Sequence, residues 1–276
     1  MAKRALLIGI NRYAMPGSDL RGCVNDVHAI GQVLADQYGF APADVTTLVD
    51  GQATKAAMQQ GIAALVASGK PGDVLYAHYS GHGSNVKDTN GDEADGRDEI
   101  LCPHDLDWND PLTDDWLRTT FDRLDPAASL TVVMDCCHSG TNTREPIAPD
   151  APVRSRFLAN PDQGSPDASG REPGRGSSRR SRRRRPSADV HPVELTEVLL
   201  TGCRDTQTSA DADIGGTYNG ALTYFLVKAL RALGPDATYR QVHAKTLAGL
   251  KGSYDQVPQL EGRESRLDRP FLSPQG

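Results

Sequence analysis

The chain lacks any apolar run long enough to cross a membrane. Stretches such as Ala5–Ile10 fall far short of the roughly 20 residues a helical span requires. Lys3 and Arg4 precede that run, but Asn11 and Arg12 end it too early for a secretory signal. There are only five cysteines, at positions 23, 102, 136, 137 and 203. Their odd number and irregular spacing exclude a disulfide framework and indicate a reducing, cytoplasmic setting. Hydrophobic residues make up 38% of the 276 positions, which is enough for one substantial core or two small ones.

The net charge of −6 is unevenly distributed. From Arg154 to Arg185 ten arginines face Asp162, Asp167 and Glu172, a local +7 that leaves −13 for the remainder. That pattern fits either a solvated acidic surface with a solvated linker, or an acidic cleft selecting basic substrates.

Taken in order, Arg4–Gly9, Val45–Val49 and Asp73–Tyr79 read as strands, and Cys23–Tyr38 and Thr54–Ala67 as helices, the second capped by Thr54. Val86–Pro103 reads as an acidic, glycine-rich loop. Thr113 opens a helix through Leu124, with Asp114 and Asp115 in the first turn, where the helix dipole favours acids. Leu130–Asp135 is a continuously apolar strand of the kind found at the centre of a parallel sheet. From about Pro146 to Pro186 the pattern gives way to Pro, Gly, Ser, Asp and Arg, the composition of a disordered linker. Order returns with a strand at Val193–Cys203, helices at Ala221–Leu233 and Tyr239–Leu250, and a tail with room for one short strand. The alternation predicts an α/β fold with a largely parallel sheet. It is split into a larger region (1–145), a linker (146–190) and a smaller region (191–276) that completes the same fold.

Two strands end in chemistry. Asp73–Gly83 (DVLYAHYSGHG) closes on His82 between two glycines, and Leu130–Gly140 (LTVVMDCCHSG) closes on Cys136 and Cys137. In open α/β sheets, sites form at the carboxyl ends of strands. A thiol, an imidazole and backbone N–H groups are the parts of a cysteine peptidase. Glycines beside His82 let a substrate backbone come close. Successive strand residues face opposite sides, so only one of the two cysteines faces His82, and spacing alone does not choose between them.

YSGHG (Tyr79–Gly83) with DCCHSG (Asp135–Gly140) resembles the metacaspases, a family of the caspase-like cysteine peptidase clan. The resemblance runs from about Lys3 to Thr143 and resumes from Leu200 to Leu230, and it fits a prokaryotic-type member without a pro-domain. It implies a caspase-like fold with a six-stranded, mostly parallel sheet. It makes Cys137 the nucleophile, His82 the general base and acid, and the Gly83 and Cys137 N–H groups the oxyanion hole. It also implies cleavage after Arg or Lys, with Cys23, Asp26, Ser80 and Asp135 forming the S1 pocket. Carboxylates in a partly dehydrated pocket suit a guanidinium by charge and by bidentate geometry.

The acidic loop bears on calcium. Asp88, Asn90, Asp92 and Glu99 fall on EF-hand positions, but Glu93 replaces the required glycine, so the match reads as chance. The family resemblance implies a different Ca²⁺ set, namely Asp98, Asp114 and Asp115. A further family carboxylate falls on Arg144, beside Glu145.

The run Arg179–Arg185 reads as a solvated linker or as a self-processing site tethered to an arginine-preferring enzyme. Nucleic-acid binding is disfavoured, because no aromatics interleave and the chain is acidic overall. The expectation is therefore a Ca²⁺-stimulated cysteine endopeptidase, monomeric as the family tends to be, that acts on protein or peptide substrates and has no membrane partner. The alternative is a catalytically silent caspase-like scaffold whose basic linker binds an anionic partner.

Overall fold

The computed structural model describes residues 1–88, 91, 96–137, 153–161, 195–204 and 207–275. The chain opens with β1 (Lys3–Gly9), α1 (Cys23–Tyr38), β2 (Val45–Val49), α2 (Lys55–Ser68) and β3 (Val74–Ser80). A small sheet follows, made of β4 (Gly83–Lys87), β5 (Arg97–Leu101) and β6 (Leu112–Thr113), and leads into α3 (Asp114–Phe121) and β7 (Ser129–Asp135). The rest comprises β8 (Val153–Ser155), β9 (Val198–Thr201), β10 (Ala210–Asp213), β11 (Tyr218–Gly220), α4 (Ala221–Leu233), α5 (Tyr239–Leu250), β12 (Gln259–Glu261) and α6 (Glu264–Leu267).

The main sheet has six strands in the order β12-β9-β7-β3-β1-β2. All its pairings are parallel except that of β12 with β9 at one edge. Strands β3 and β7 are buried along their whole length, as expected of central strands covered on both faces. Side chains alternate between two apolar layers. Leu6, Ile8, Leu75, Leu130 and Val132 pack with Met58 and Ile62 of α2 and Leu117 and Phe121 of α3. Leu7, Val74, Tyr76 and Val133 pack with Ile30 and Leu34 of α1, Leu226 of α4 and Val242 of α5. Thr54 and Thr113 cap α2 and α3 by accepting hydrogen bonds from Ala57 N and Trp116 N.

Two sequence expectations are corrected. The stretch Val86–Pro103 is no simple loop: β4 and β5 pair antiparallel from Gly83–Leu101 to Lys87–Arg97. The linker is ordered over 153–161, where β8 pairs with β10 and Arg156 is completely buried. Composition failed there because three ladder pairs and one buried ionic cluster hold the segment, rather than an apolar face. The arginine run 179–185, with His138, Arg144 and Glu145, lies outside the described residues.

Candidate active site

Register brings the expected residues to one place. Gly9 pairs with Ser80, and Ser80 with Asp135, so the carboxyl ends of β1, β3 and β7 lie side by side. Asp26 comes from the first turn of α1, and its Oδ2 accepts a 2.7 Å hydrogen bond from Ser80 Oγ. Asp135 Oδ1 accepts from Ser209 Oγ at 2.6 Å, and its Oδ2 from Thr223 Oγ1 at 2.7 Å. Cys23 is fully buried beside Ser80 and Arg156, and burial pushes its thiol pKa well up.

The chain fills this pocket with its own arginine. Arg156 Nη2 donates to Asp26 Oδ2 at 2.8 Å and to Asp211 Oδ1 at 3.1 Å. Arg156 Nη1 donates to Ser80 Oγ at 2.7 Å and to the Asp135 carbonyl at 2.9 Å, with Asp135 Oδ2 at 3.3 Å. The cation and all three carboxylates have no exposed side-chain surface. Burial works against the guanidinium charge, but Asp135, Cys23, Asp26 and Asp211 outweigh it and push its pKa well up. Burial raises the Asp26 pKa to about 7 against the pull of Arg156, and Asp135 adds to the rise. Gly220 has to be glycine: a Cβ there would stand 2.2 Å from Asp135 Oδ2 and 2.4 Å from Arg156 Nη1.

The main chain of the segment is held equally closely. The Arg156 carbonyl oxygen accepts from Gly83 N at 2.9 Å and from Cys137 N at 3.4 Å, the two N–H groups named above as oxyanion donors. Arg156 N donates to Ser209 O at 3.0 Å. Upstream, β8 continues as an antiparallel edge strand on β10. Cys137 is fully buried, and its Sγ sits against Ser209, taking a hydrogen bond from Ser209 N. Burial and the neighbouring Cys203 push its thiol pKa well up, while the Ser209 N–H pulls it down. Cys136 points the other way and lines a 290 Å³ cavity with Leu117, Phe121 and Met134.

The His82 ring nitrogen Nε2 lies 2.8 Å from Ser18 O, which fixes the tautomer: Nε2 carries the proton and donates it to the carbonyl. Nδ1 is buried with no hydrogen-bond partner among the described residues. Burial lowers the pKa of His82 to about 4, partly offset by Ser18 and the Arg156 main chain, so the imidazole is neutral. The ring is braced by Tyr13, 5.0 Å away between centroids, whose hydroxyl accepts from His82 N at 2.8 Å. Gly81 serves this bracing rather than a substrate: a Cβ there would stand 2.6 Å from the Tyr79 hydroxyl and 2.8 Å from that of Tyr13.

The calcium candidates are less closely gathered. Asp98 is buried on β5 opposite Val86, Asp114 opens α3, and Asp115 is engaged by Arg118. Among the described residues no three His, Cys, Asp or Glu side chains are grouped to hold a metal ion. The donors are oxygen only, the chemistry Ca²⁺ takes, but three of them do not converge.

Asp211, Arg156 and Ser18 were absent from the sequence-derived site. Asp211 lies within the Leu200–Leu230 stretch of resemblance but had no role assigned to it. Arg156 was hidden among ten arginines, and Ser18 acts through a backbone carbonyl that leaves no side-chain signature.

Fold and site together define a caspase-like α/β protein in which the Gly83 and Cys137 N–H groups, from just past the ends of two neighbouring strands, meet on one carbonyl. The family model described as "Metacaspase, peptidase C14 domain" matches residues 3–146. Metacaspase-1B of Neosartorya fischeri is 35% identical over 94% of this chain and 68% of its own length. Metacaspase-1B of Aspergillus fumigatus is 34% identical over 94% and 69%. Among solved structures, a protein from Geobacter sulfurreducens superposes with a TM-score of 0.71 at 24% identity, with both chains fully covered. Caspase-1 from Spodoptera frugiperda does so at 0.59 and 13% identity, over 98% of this chain and 89% of that one. The chain belongs to the metacaspase family, and as a member it is a cysteine endopeptidase acting on protein substrates.

Proposed function

We propose that this peptidase cleaves after Arg or Lys with Cys137 as nucleophile and His82 as general base and acid, and that it cuts its own chain between Arg156 and Phe157. The seat of Arg156 carries the reading. A guanidinium with three carboxylates and a carbonyl held by two N–H groups is what a bound substrate presents to such a site.

The steps follow from the groups present. His82 Nδ1, neutral and unpartnered, takes the Cys137 thiol proton as Sγ attacks the Arg156 carbonyl carbon. The developing oxyanion lies on the Gly83 and Cys137 N–H groups. The imidazolium then gives its proton to the Phe157 nitrogen, and the Arg156–Phe157 bond breaks to leave a thioester. Water, deprotonated by the same imidazole, releases the thioester. Ser18 O holds the ring throughout by accepting from Nε2. With His82 low and Cys137 high, the resting pair is thiol and imidazole rather than an ion pair.

Calcium is proposed as an activator on donor chemistry alone: Asp98, Asp114 and Asp115 are not gathered as they stand, so a cation would have to draw them together, and none of the steps above passes through it. The five thiols are free, which supports a reducing, cytoplasmic location, and the enzyme is proposed to act as a monomer.

The test is intact mass after incubation of wild type and Cys137→Ala, each with Ca²⁺ or chelator, alongside an Arg-amide assay. A fragment ending at Arg156 in wild type and absent in Cys137→Ala is expected. A wild-type chain that stays whole and ignores Arg substrates would turn the reading to the silent scaffold.

A further inference from the structure

The segment does not leave the protein after Arg156. It changes partner. Upstream it is an antiparallel edge strand on β10. Downstream, Phe157 bridges Gly83 in parallel fashion, with Leu158 N donating to Gly83 O at 2.9 Å. Ser84 Oγ then donates to Leu158 O at 2.5 Å. Since β4 is the edge of its sheet, the segment adds a short parallel strand to that edge, a recognised way to hold an extended peptide. The two side chains past the bond are treated differently. Both are partly buried, but Leu158 packs against the apolar layer that contains Tyr13, Leu20, Val86 and Leu101, whereas Phe157 belongs to none of the apolar clusters. Ser84 is completely buried, and its hydroxyl is spent on the Leu158 carbonyl.

From this we infer that the enzyme has a primed-side subsite on the β4 edge, built by Gly83, Ser84 and the adjoining apolar layer, that selects an aliphatic residue at the second position after the cut. The inference rests on the reading of Arg156 as the residue before the cut. It adds that the substrate is an extended chain gripped on both sides of the scissile bond: by β10 before it and by β4 after it. The position just after the cut tolerates most side chains, because Phe157 packs with none of the apolar clusters. Ser84 is a positioning residue: it touches neither the scissile bond nor the arginine, and it fixes the chain that carries them.

The test uses the full chain carrying Arg156→Gln, whose own segment has lost the guanidinium that holds the pocket, with the wild-type chain run in parallel. The substrates are a fluorogenic Val-Arg-Ser-Arg amide with nothing after arginine, a quenched Val-Arg-Ser-Arg-Phe-Leu-Ala-Asn peptide, and the same peptide with Asp in place of Leu or Ala in place of Phe. The Asp peptide is expected to lose about tenfold or more in kcat/KM, in line with an aliphatic side chain forced off an apolar surface. The Ala peptide is expected to lose less than about threefold, since the phenyl ring leaves little behind. Ser84→Ala is expected to lower the ratio of kcat/KM for the octapeptide to that for the amide by about fivefold, the worth of one hydrogen bond. Asp and Leu peptides cut at equal rates, or a ratio unmoved by Ser84→Ala, would overturn the subsite while leaving the arginine reading standing. An amide left uncut by every chain would instead sink the arginine reading and the subsite with it.

Discussion

Arg156 Nη2 stands 3.1 Å from Asp211 Oδ1, a carboxylate that reaches the pocket from β10. Asp211 is itself anchored, accepting from Gly22 N and Arg21 N at 2.9 Å each. The same guanidinium nitrogen lies 2.8 Å from Asp26 Oδ2. One fork of the arginine is therefore shared between two elements 185 positions apart in sequence. That sharing is a statement about shape as well as charge, because a planar guanidinium satisfies both acceptors in a way that an ammonium on a straight stem does not.

The first prediction concerns this geometry. Asp211→Asn keeps the size and the acceptor but removes one charge. It is expected to lower kcat/KM for an Arg amide by about tenfold, in line with the loss of a charge-assisted hydrogen bond. Lys should lose less, so the Arg-over-Lys preference narrows. Paired Arg and Lys amides measured on one enzyme sample decide the matter. An equal loss on both would reduce Asp211 to a background charge.

Much of this site was legible in the sequence, for a physical reason. His82 and Cys137 each follow a fully buried strand, and such strands are recognisable by continuous apolar runs. The central sheet came from the same signal. What escaped notice is held by pairing rather than by burial of apolar side chains. Strands β8, β10 and β11 are three or four residues long, and β10 reads ADAD, a sequence no propensity would choose as a strand. Its Asp211 is inward because Arg156 waits there, and Arg156 is inward because three carboxylates do. Neither is readable without the other. Ser18 contributes only a carbonyl oxygen, which any residue carries.

The second prediction tests the calcium proposal. Asp115 is engaged by Arg118 on the same helix, so a cation recruiting Asp115 must displace that arginine. Asp114→Ala with Asp115→Ala is expected to shift the calcium midpoint of Arg-amide cleavage upward by about tenfold or more, as expected when hard oxygen donors are removed. Arg118→Gln should shift the midpoint downward, because the competing cation is gone. The readout is a calcium titration of activity for each chain. A midpoint identical in all three would take the acids of α3 out of the account.

The third prediction concerns stability against pH, and its sign follows from three buried groups. His78 and His82 both have pKa values lowered to about 4 from the usual 6.5, burial being the main cause. Below pH 6.5 the unfolded chain binds two protons that the folded chain refuses, so their contribution to stability is full above 6.5 and is lost as pH falls toward 4. Asp26 acts in the opposite direction. Burial raises it to about 7 from the usual 3.8, so the folded chain holds a proton that the unfolded chain releases. Its contribution is full below 3.8 and is lost as pH rises through 7. Between pH 5 and 6 the unfolded state therefore binds somewhat less than one more proton in net, and stability should fall by about 1 kcal/mol per unit as the pH drops. Asp26→Asn removes the opposing proton and should roughly double that slope. Urea unfolding of Cys137→Ala, with and without Asp26→Asn, at half-unit steps across this window provides the measurement, and the comparison isolates Asp26 from every other acid. A slope left unchanged or made shallower by Asp26→Asn would mean that Asp26 is ionised in the pocket beside Arg156, and that the guanidinium outweighs burial there.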